Sequence, residues 1–291
     1  MQNEITAETT KALRNALVLV ASLLTTLGIA SVIRFWLPRH IGVDAFGQVS
    51  FADAWTQAGF VFLHLGVDTY ISREIATRVE HASDFIGGVI LVRAAMTIAV
   101  LIGLAVGLFA LNKNALAWQL VFIFAVGQLF FIFNSTWQAI LNARGEVREL
   151  AIISTSSKGI WGVLVVAGVL VTGSLLMVAI AYTVTEIGKT FALVRVARKY
   201  VKLTFLWTFG SAKAVVIAAL PFYVNFMAHD VYARVDAIML SAMTTDAEVG
   251  IYSAAVNINI LALLVLPIMN AVLMPMTSRV ARTTPEALDD V

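Results

Sequence analysis

The sequence contains no cysteine among its 291 residues, which excludes disulfide bonds, thiolate catalysis and cysteine-based metal sites. Charge is also scarce: charged residues make up 13% of the chain, against about 25% in soluble domains. Hydrophobic residues make up 60%, and the mean hydropathy is +0.88, so a soluble globule would lack the polar surface to cover itself. The lysines and arginines form no run suited to nucleic acid. These absences exclude soluble enzymes, disordered chains and nucleic-acid-binding proteins, and they favour a protein that folds in lipid.

Apolar runs separated by helix breakers predict an all-α membrane protein with about eight transmembrane helices. The predicted spans are 12–37, 45–70, 85–111, 116–141, 150–171, 175–199, 211–240 and 249–276. The charged stretch 73–82 predicts a short helix that lies along the membrane interface.

The fifth and sixth spans share one uncharged run, which the Thr172-Gly173-Ser174 turn is predicted to divide. With this division and a cytoplasmic N-terminus, twelve lysines and arginines lie on one side of the membrane and only Arg39 and Lys113 on the other. Merging the two spans would move four of the twelve cations to the outside. The positive-inside rule therefore predicts a multi-pass protein of the cytoplasmic membrane with both ends in the cytoplasm.

A short pattern recurs at a constant offset of 203 residues, where Gly47, Ser50 and Ala52 align with Gly250, Ser253 and Ala255. We interpret each copy as an external turn whose glycine opens a returning helix, with small residues that allow close packing. The alternative is coincidence, because small residues are common in membrane helices. A repeat of six helices predicts parallel halves: residues 1–202 form a six-helix lobe, and residues 203–291 form the first two helices of an incomplete second lobe.

Ionisable residues within the spans are the candidate site residues, because each costs about 2.5–3.5 kcal/mol to insert and normally faces a bundle interior. The candidate cations are Arg34, Lys158, Lys189 and Arg234, and the candidate acids, for ion coupling or structure, are Asp53, Glu186, Asp230 and Asp236. Lys158 lies among four hydroxyl residues, 154–157, a polar face suited to water. A shared cavity of substantially positive character would suit an anionic ligand, since arginine offers phosphate a bidentate fork.

Simpler structural explanations remain open for several of these charges. Glu186 with Lys189, and Asp230 with Arg234, are spaced to neutralise each other on one helix face. Arg34 and Arg93 lie within about two turns of a span end, where long side chains can reach the interface. The histidines have no metal-ligand spacing and no phosphate loop or nucleophile motif is present, so no metal, cofactor or catalytic residue is expected.

The stretch 221–282 resembles the seventh and eighth helices of polysaccharide-biosynthesis flippases of the multidrug/oligosaccharidyl-lipid/polysaccharide exporter superfamily. The residues that carry the resemblance are Pro221, Arg234-Val235-Asp236, Val249-Gly250-Ile251-Tyr252-Ser253-Ala254-Ala255, Pro267 and Pro275. The stretch from Leu37-Pro38 to Phe46-Gly47, with Leu65-Gly66-Val67 and Ser72-Arg73-Glu74-Ile75-Ala76, looks like the first two helices of the same family. Among the candidate site residues, this motif directly supports only Asp236 and its neighbours.

The resemblance implies two six-helix lobes around a central cavity and transport of a lipid-diphosphate-linked oligosaccharide, with no enzymatic activity. Cavity cations would hold the diphosphate, and an ion gradient would assist. The implied partners are membrane lipids, the anionic lipid-linked sugar and, because family members carry twelve or more spans, a further chain that supplies missing helices. The alternatives are a multidrug or cation-coupled exporter, a membrane-embedded glycosyltransferase or polymerase, and a truncated fragment that does not transport. The cations disfavour the multidrug exporter, and the short outer loops disfavour the glycosyltransferase.

Overall fold

The computed structural model describes residues 2–64, 82–143, 146–199, 223–224, 227–228, 231–232 and 234–263. The helices with defined bounds are α1 (Gln2–Ile41), α2 (Val43–Phe60), α3 (Ala82–Ala110), α4 (Ala115–Ala143), α5 (Val147–Thr172), α6 (Leu176–Ala197), α7 (Val235–Met243) and α8 (Asp246–Leu263). A 3₁₀ turn, Val61–Leu63, extends α2. These described ranges contain no strand.

Helices α1 to α6 overlap the first six predicted spans in order, and α7 and α8 overlap the described parts of the last two. Within the described residues, the segments long and apolar enough to cross a membrane are Leu17–Ile41, Arg93–Ala110, Ala115–Asn142, Val147–Thr172 and Leu176–Ala197. Large apolar side chains such as Phe109, Val171 and Phe191 are exposed on the outer faces of the helices, where lipid is the compatible solvent. The prediction of an all-α membrane protein is confirmed. The predicted interfacial helix, the three prolines of the last two spans and Asp230 lie outside the described residues.

Glycine determines two of the helix ends. Helix α1 continues through Pro38 to Ile41, past the predicted end of the first span, and Gly42 with φ +85° separates it from α2. Gly173 adopts φ +64° after α5, and its N–H donates to the carbonyl of Val169 at 2.9 Å. This left-handed conformation favours glycine and ends the helix. The predicted division of the long uncharged run at Thr172-Gly173-Ser174 is confirmed.

The bundle is a ring in which neighbouring pairs are α1–α5, α5–α6, α6–α4, α4–α2 and α2–α1. Helix α3 packs against α2 and α4, while α7 and α8 pack on the other side of α2 and α8 also contacts α1. Because successive helices are antiparallel, Gly42 and residues 111–114, 173–175 and 244–245 all lie at one end of the bundle, which we call the turn end. Helix α2 is therefore the ring member that makes the larger contact with the α7–α8 pair.

Arg93 of α3 does not extend to the membrane interface, so that prediction is wrong. Its side chain is 1% exposed, and its guanidinium donates to the carbonyls of Leu63 at 2.8 Å and His64 at 3.1 Å and to Thr136 Oγ1 at 2.5 Å. The carbonyls at the end of the 3₁₀ turn after α2 require hydrogen-bond donors. Arg93 supplies those donors, together with positive charge at a helix C-terminus.

Candidate functional site

Charged side chains from several helices lie within electrostatic range of one another: Glu186 is buried, Arg34 is exposed, and Asp53, Lys158, Lys189 and Arg234 are half-buried. The charge of Lys158 interacts with those of Arg34, Asp53, Glu186 and Lys189. Tyr182 in turn lies within electrostatic reach of Asp53, Glu186 and Arg234. We call Arg34, Asp53, Lys158, Glu186, Lys189 and Arg234 the central cluster. Counted along their helices at about 1.5 Å per residue, these side chains lie roughly 12–23 Å below the turn end.

Lys158 extends from α5 over the ring of Trp161, with Nζ 3.8 Å from the ring centroid. A cation over an indole face is attracted by the ring quadrupole, most strongly where water is excluded. Of the four hydroxyl residues that the sequence groups with Lys158, two lie elsewhere: Thr155 and Ser156 line a groove against α1. The predicted polar surface around Lys158 is therefore smaller than the sequence suggests.

Glu186 of α6 is held by a hydrogen-bonded network that the sequence analysis missed. It is 9% exposed, and Asn134 Nδ2 donates to its Oε2 at 2.8 Å and to its carbonyl at 3.0 Å. Asn134 is fully buried, and its Oδ1 accepts from Thr190 at 2.8 Å. The predicted partner Lys189 is farther away, with Nζ 4.0 Å from Oε2. The signal for Asn134 was its amide within a span that contains no charged residue.

The two arginines of the central cluster contact amides on neighbouring helices. Arg34 of α1 donates to Asn257 Oδ1 of α8 at 3.4 Å. Arg234, just before α7, donates to Gln57 Oε1 of α2 from Nε at 3.2 Å and from Nη2 at 2.6 Å. Gln57 lies one helical turn after Asp53, so both face the same side of α2. Arg34 and Arg234 thus connect α1 and α2 to the α7–α8 pair.

The structure does not bring Asp236 into the central cluster. Its carboxylate accepts the hydroxyl hydrogen of Tyr252 and, at 2.7 Å, the N–H of Ala237. An acidic residue in the first turn of α7 is stabilised by the helix dipole. The predicted pairing of Asp230 with Arg234 stays a prediction, because Asp230 lies outside the described residues.

Above the cluster, α2 and α8 touch backbone to backbone at the turn end. A Cβ added at Gly47 would lie 1.8 Å from the carbonyl oxygen of Asp246, and one added at Gly250 would lie 2.2 Å from that of Val43. The prediction that these glycines open their helices is wrong, because α2 begins at Val43 and α8 at Asp246. Their close packing is confirmed. Val43 and Asp246 are themselves 203 residues apart, so the repeat offset also relates the two contacts, as in a two-fold arrangement.

Lys113 reinforces this closed end. It lies in the α3–α4 loop, and its Nζ donates to Ser241 Oγ at 2.6 Å and to the carbonyl of Ser241 at 2.9 Å. The same ammonium group lies 4.5 Å from the centroid of the Phe51 ring of α2. A cation near the last carbonyls of α7 is also favoured by the helix dipole. The sequence analysis counted Lys113 only among the external charges and did not predict this contact.

Taken together, the central cluster contains four cations and two carboxylates, so it is positively charged overall. Guanidinium and ammonium groups held at this depth can bind an anion by charge-assisted hydrogen bonds. No group of three or more metal-ligating side chains occurs among the described residues. The arrangement is suited to binding an anionic group within a membrane bundle.

Comparison with known proteins agrees with this architecture. A family model described as polysaccharide biosynthesis protein matches residues 12–281. One similar solved structure is a chain named protein A, with a TM-score of 0.67, 17% identity and 63% of its length covered. A second is MATE in complex with Br-NRF, with a TM-score of 0.61, 15% identity and 66% of its length covered. A third is MATE in complex with MaD3S, with a TM-score of 0.63, 16% identity and 63% of its length covered. Each alignment covers 90% of this chain, which thus spans less than two thirds of each matched structure. The comparison with curated proteins found no significant match.

The family match covers nearly the whole chain, and the solved structures share its fold. The predicted family membership is confirmed: this chain, which shares its fold with the MATE structures, belongs to the polysaccharide biosynthesis protein family.

Proposed function

We propose that this chain forms the first lobe and the start of the second lobe of a flippase that moves a lipid-diphosphate-linked oligosaccharide across the cytoplasmic membrane. The observation that carries the proposal is the central cluster, in which four cations converge at mid-depth with only two carboxylates. A diphosphate carries several negative charges, and the forked guanidinium of arginine matches its oxygens. Lys158 and Lys189 would add point charges to the same anion.

The contacts of the cluster suggest how binding would be coupled to movement. Arg34 and Arg234 donate to amides across the boundary between the ring and the α7–α8 pair. An incoming diphosphate is a stronger acceptor than a neutral amide, so it would draw both guanidinium groups away from these bridges. Opening of the turn end would then require α2 and α8 to separate where Gly47 and Gly250 now touch. This sequence of events is alternating access, in which the cavity opens to one side at a time.

The proposal also covers the orientation of the chain in the membrane and the source of the remaining helices of the second lobe. The charge distribution supports a turn end that faces outward and chain ends in the cytoplasm. Because the chain spans less than two thirds of the matched structures, we propose that the other helices of the second lobe come from further residues or from a partner chain. No catalytic step is proposed, since the family and fold are those of transporters.

Binding and movement of the substrate are tested separately. The chain in nanodiscs is titrated with a radiolabelled lipid-diphosphate sugar, and leaflet translocation is followed in liposomes. Arg34→Ala and Lys158→Ala are expected to weaken binding at least tenfold, whereas Arg39→Ala, an exposed arginine near the end of α1, should leave it unchanged. Equal binding by all variants would overturn the proposed site. Binding without translocation by this chain would support the need for further helices.

A cation-coupled exporter of small molecules is the second candidate, and the buried Glu186 with nearby Asp53 favours it. The structures of similar fold named MATE in complex with Br-NRF and MATE in complex with MaD3S each contain a bound molecule. This alternative predicts that Glu186→Gln abolishes uptake of a labelled small cation, while Arg34→Ala does not. The flippase proposal predicts that Arg34→Ala strongly weakens binding of the lipid-diphosphate sugar and that the parent and all variants bind small cations weakly.

A further inference from the structure

A groove between α1 and α5 lies apart from the central cluster, toward the end of the bundle opposite the turn end. Its volume is about 750 Å³, within the usual range of small-ligand sites. Its described lining residues are Arg14, Val18, Ala21, Ser22, Thr25, Arg148, Ala151, Ile152, Thr155 and Ser156. None of these residues belongs to the central cluster, so the groove is a second candidate site.

The groove has a charged end and an apolar length. The apolar segments of α1 and α5 begin at Leu17 and Val147, so Arg14 and Arg148 lie where the chain enters the membrane. Both arginine side chains are exposed, and neither forms an ion pair with a described residue. No acidic residue is among the described residues that line the groove. The remaining lining residues extend along about 10–15 Å of helix from these arginines, into the hydrocarbon layer.

The hydroxyl groups of the lining do not make its wall polar. Ser22 Oγ lies 2.9 Å from Thr155 Oγ1 and donates to the carbonyl of Ala151 at 3.2 Å. Thr25 donates to a carbonyl of its own helix at 2.8 Å, and Ser156 does so at 2.7 Å. Because these hydrogens are already bound by protein acceptors, the inner groove offers mainly methyl and methylene surface to a ligand.

We propose that this groove binds one anionic phospholipid of the surrounding bilayer, with its phosphate between Arg14 and Arg148 and an acyl chain along the α1–α5 wall. Basic pockets between transmembrane helices are suited to anionic headgroups, and the neighbouring apolar wall is suited to a hydrocarbon chain. The predicted orientation places this end at the cytoplasmic leaflet. The site would hold a resident lipid that stabilises the contact between α1 and α5, independently of any transported substrate.

The test measures the binding of two lipids that differ in headgroup charge. The chain is purified in detergent, stripped of lipid and titrated with phosphatidylglycerol or phosphatidylcholine, with bound lipid counted by native mass spectrometry. We expect one phosphatidylglycerol to bind in preference to phosphatidylcholine and to raise the melting temperature. Each of Arg14→Gln and Arg148→Gln should weaken phosphatidylglycerol about fivefold, and both together about 25-fold, because a basic residue at the membrane surface contributes roughly one such factor.

Two further variants keep the test decisive. Arg39→Gln removes an exposed arginine from the other end of α1 and should leave phosphatidylglycerol binding unchanged. Ala21→Trp fills the groove while keeping both arginines, and it should abolish the preferential binding. Equal retention of the two lipids, or unchanged phosphatidylglycerol affinity in the double glutamine variant, would overturn the proposal. A dimer that Ala21→Trp dissociates without any loss of lipid would also overturn it, and would assign the groove to a second copy of the chain.

Discussion

The substitution Gly47→Ala adds one methyl group at the point where α2 and α8 cross. The new Cβ would lie 1.8 Å from the carbonyl oxygen of Asp246, whereas an ordinary contact begins near 3.4 Å. The obstacle is backbone, so no side-chain rotation can relieve it, and the helices have to separate by about 1.5 Å. Overpacking of this kind costs about 1–3 kcal/mol. It outweighs the gain of up to about 1 kcal/mol that alanine brings to a helix interior.

The matched control is Gly103→Ala in α3. Gly103 also lies within a helix, but a Cβ there would have no heavy atom within 4 Å, so only the gain in helix propensity remains. The two variants should therefore shift the melting temperature in detergent in opposite directions. Gly250→Ala should resemble Gly47→Ala, since its Cβ would lie 2.2 Å from the carbonyl oxygen of Val43. The double variant should cost less than the sum, because one separation of the helices relieves both clashes.

Separation of α2 from α8 can also be measured directly. The chain has no native cysteine, so Val249→Cys, next to Gly250 in α8, places a single thiol at a fully buried position beside the turn end. Maleimide labelling of this thiol should be faster when Gly47→Ala is also present, and unchanged when Gly103→Ala is present. Equal labelling rates, together with a melting temperature for Gly47→Ala no lower than that of the parent, would refute the reasoning. The glycine contact would then not hold the turn end closed.

Three other substitutions test single contacts. Arg93→Ala removes donors from two main-chain carbonyls at the end of α2, so it should destabilise the fold by about 3 kcal/mol and lower the melting temperature. Arg93→Lys should recover part of this loss, and an alanine variant as stable as the parent would contradict the assigned role. Asn134→Leu removes the closest donor of Glu186 and should lower the free energy of unfolding by about 2 kcal/mol. Adding Glu186→Leu to the same chain should restore this stability, and a double variant that stays destabilised would contradict the hydrogen-bonded network. Lys113→Met keeps the aliphatic chain but loses both bonds to Ser241, so thermal stability should fall by about 1 kcal/mol, and no change would show that the contact is immaterial.

Much of the helical architecture could be read from the sequence because lipid imposes a simple rule. Backbone polar groups within the hydrocarbon layer must be satisfied inside each helix, so apolar length and helix breakers suffice to locate spans. Gly173 illustrates this rule, since a glycine within a long uncharged run marked the division between α5 and α6. The exact ends were less accurate: α1 continues past Pro38 because the chain turns only at Gly42.

Sequence spacing alone could not assign partners to the charged residues. It marked Lys158, Glu186 and Lys189, which are buried or half-buried, and its pairing of Glu186 with Lys189 is confirmed at 4.0 Å, but it did not find the donor closest to Glu186. The closest donor is Asn134 on another helix. It also explained Arg93 by a side chain that reaches the membrane interface, because the position of a residue within one span does not show which carbonyls of other helices face it. Partners on different helices depend on how those helices rotate and cross, which local spacing does not encode.

The amino-acid sequence by itself determined that this chain folds in a bilayer as a series of apolar helices, where several of those helices end, and which charges within the spans required an explanation. Only the tertiary structure decided that Gly47 and Gly250 touch the opposite helix, that Lys113 holds the last turn of α7, and that charges from separate helices meet. The physical reason is range: helix propensity and the apolar length of a span depend on neighbouring residues, whereas these contacts join residues of different helices and loops that lie between 28 and 207 positions apart.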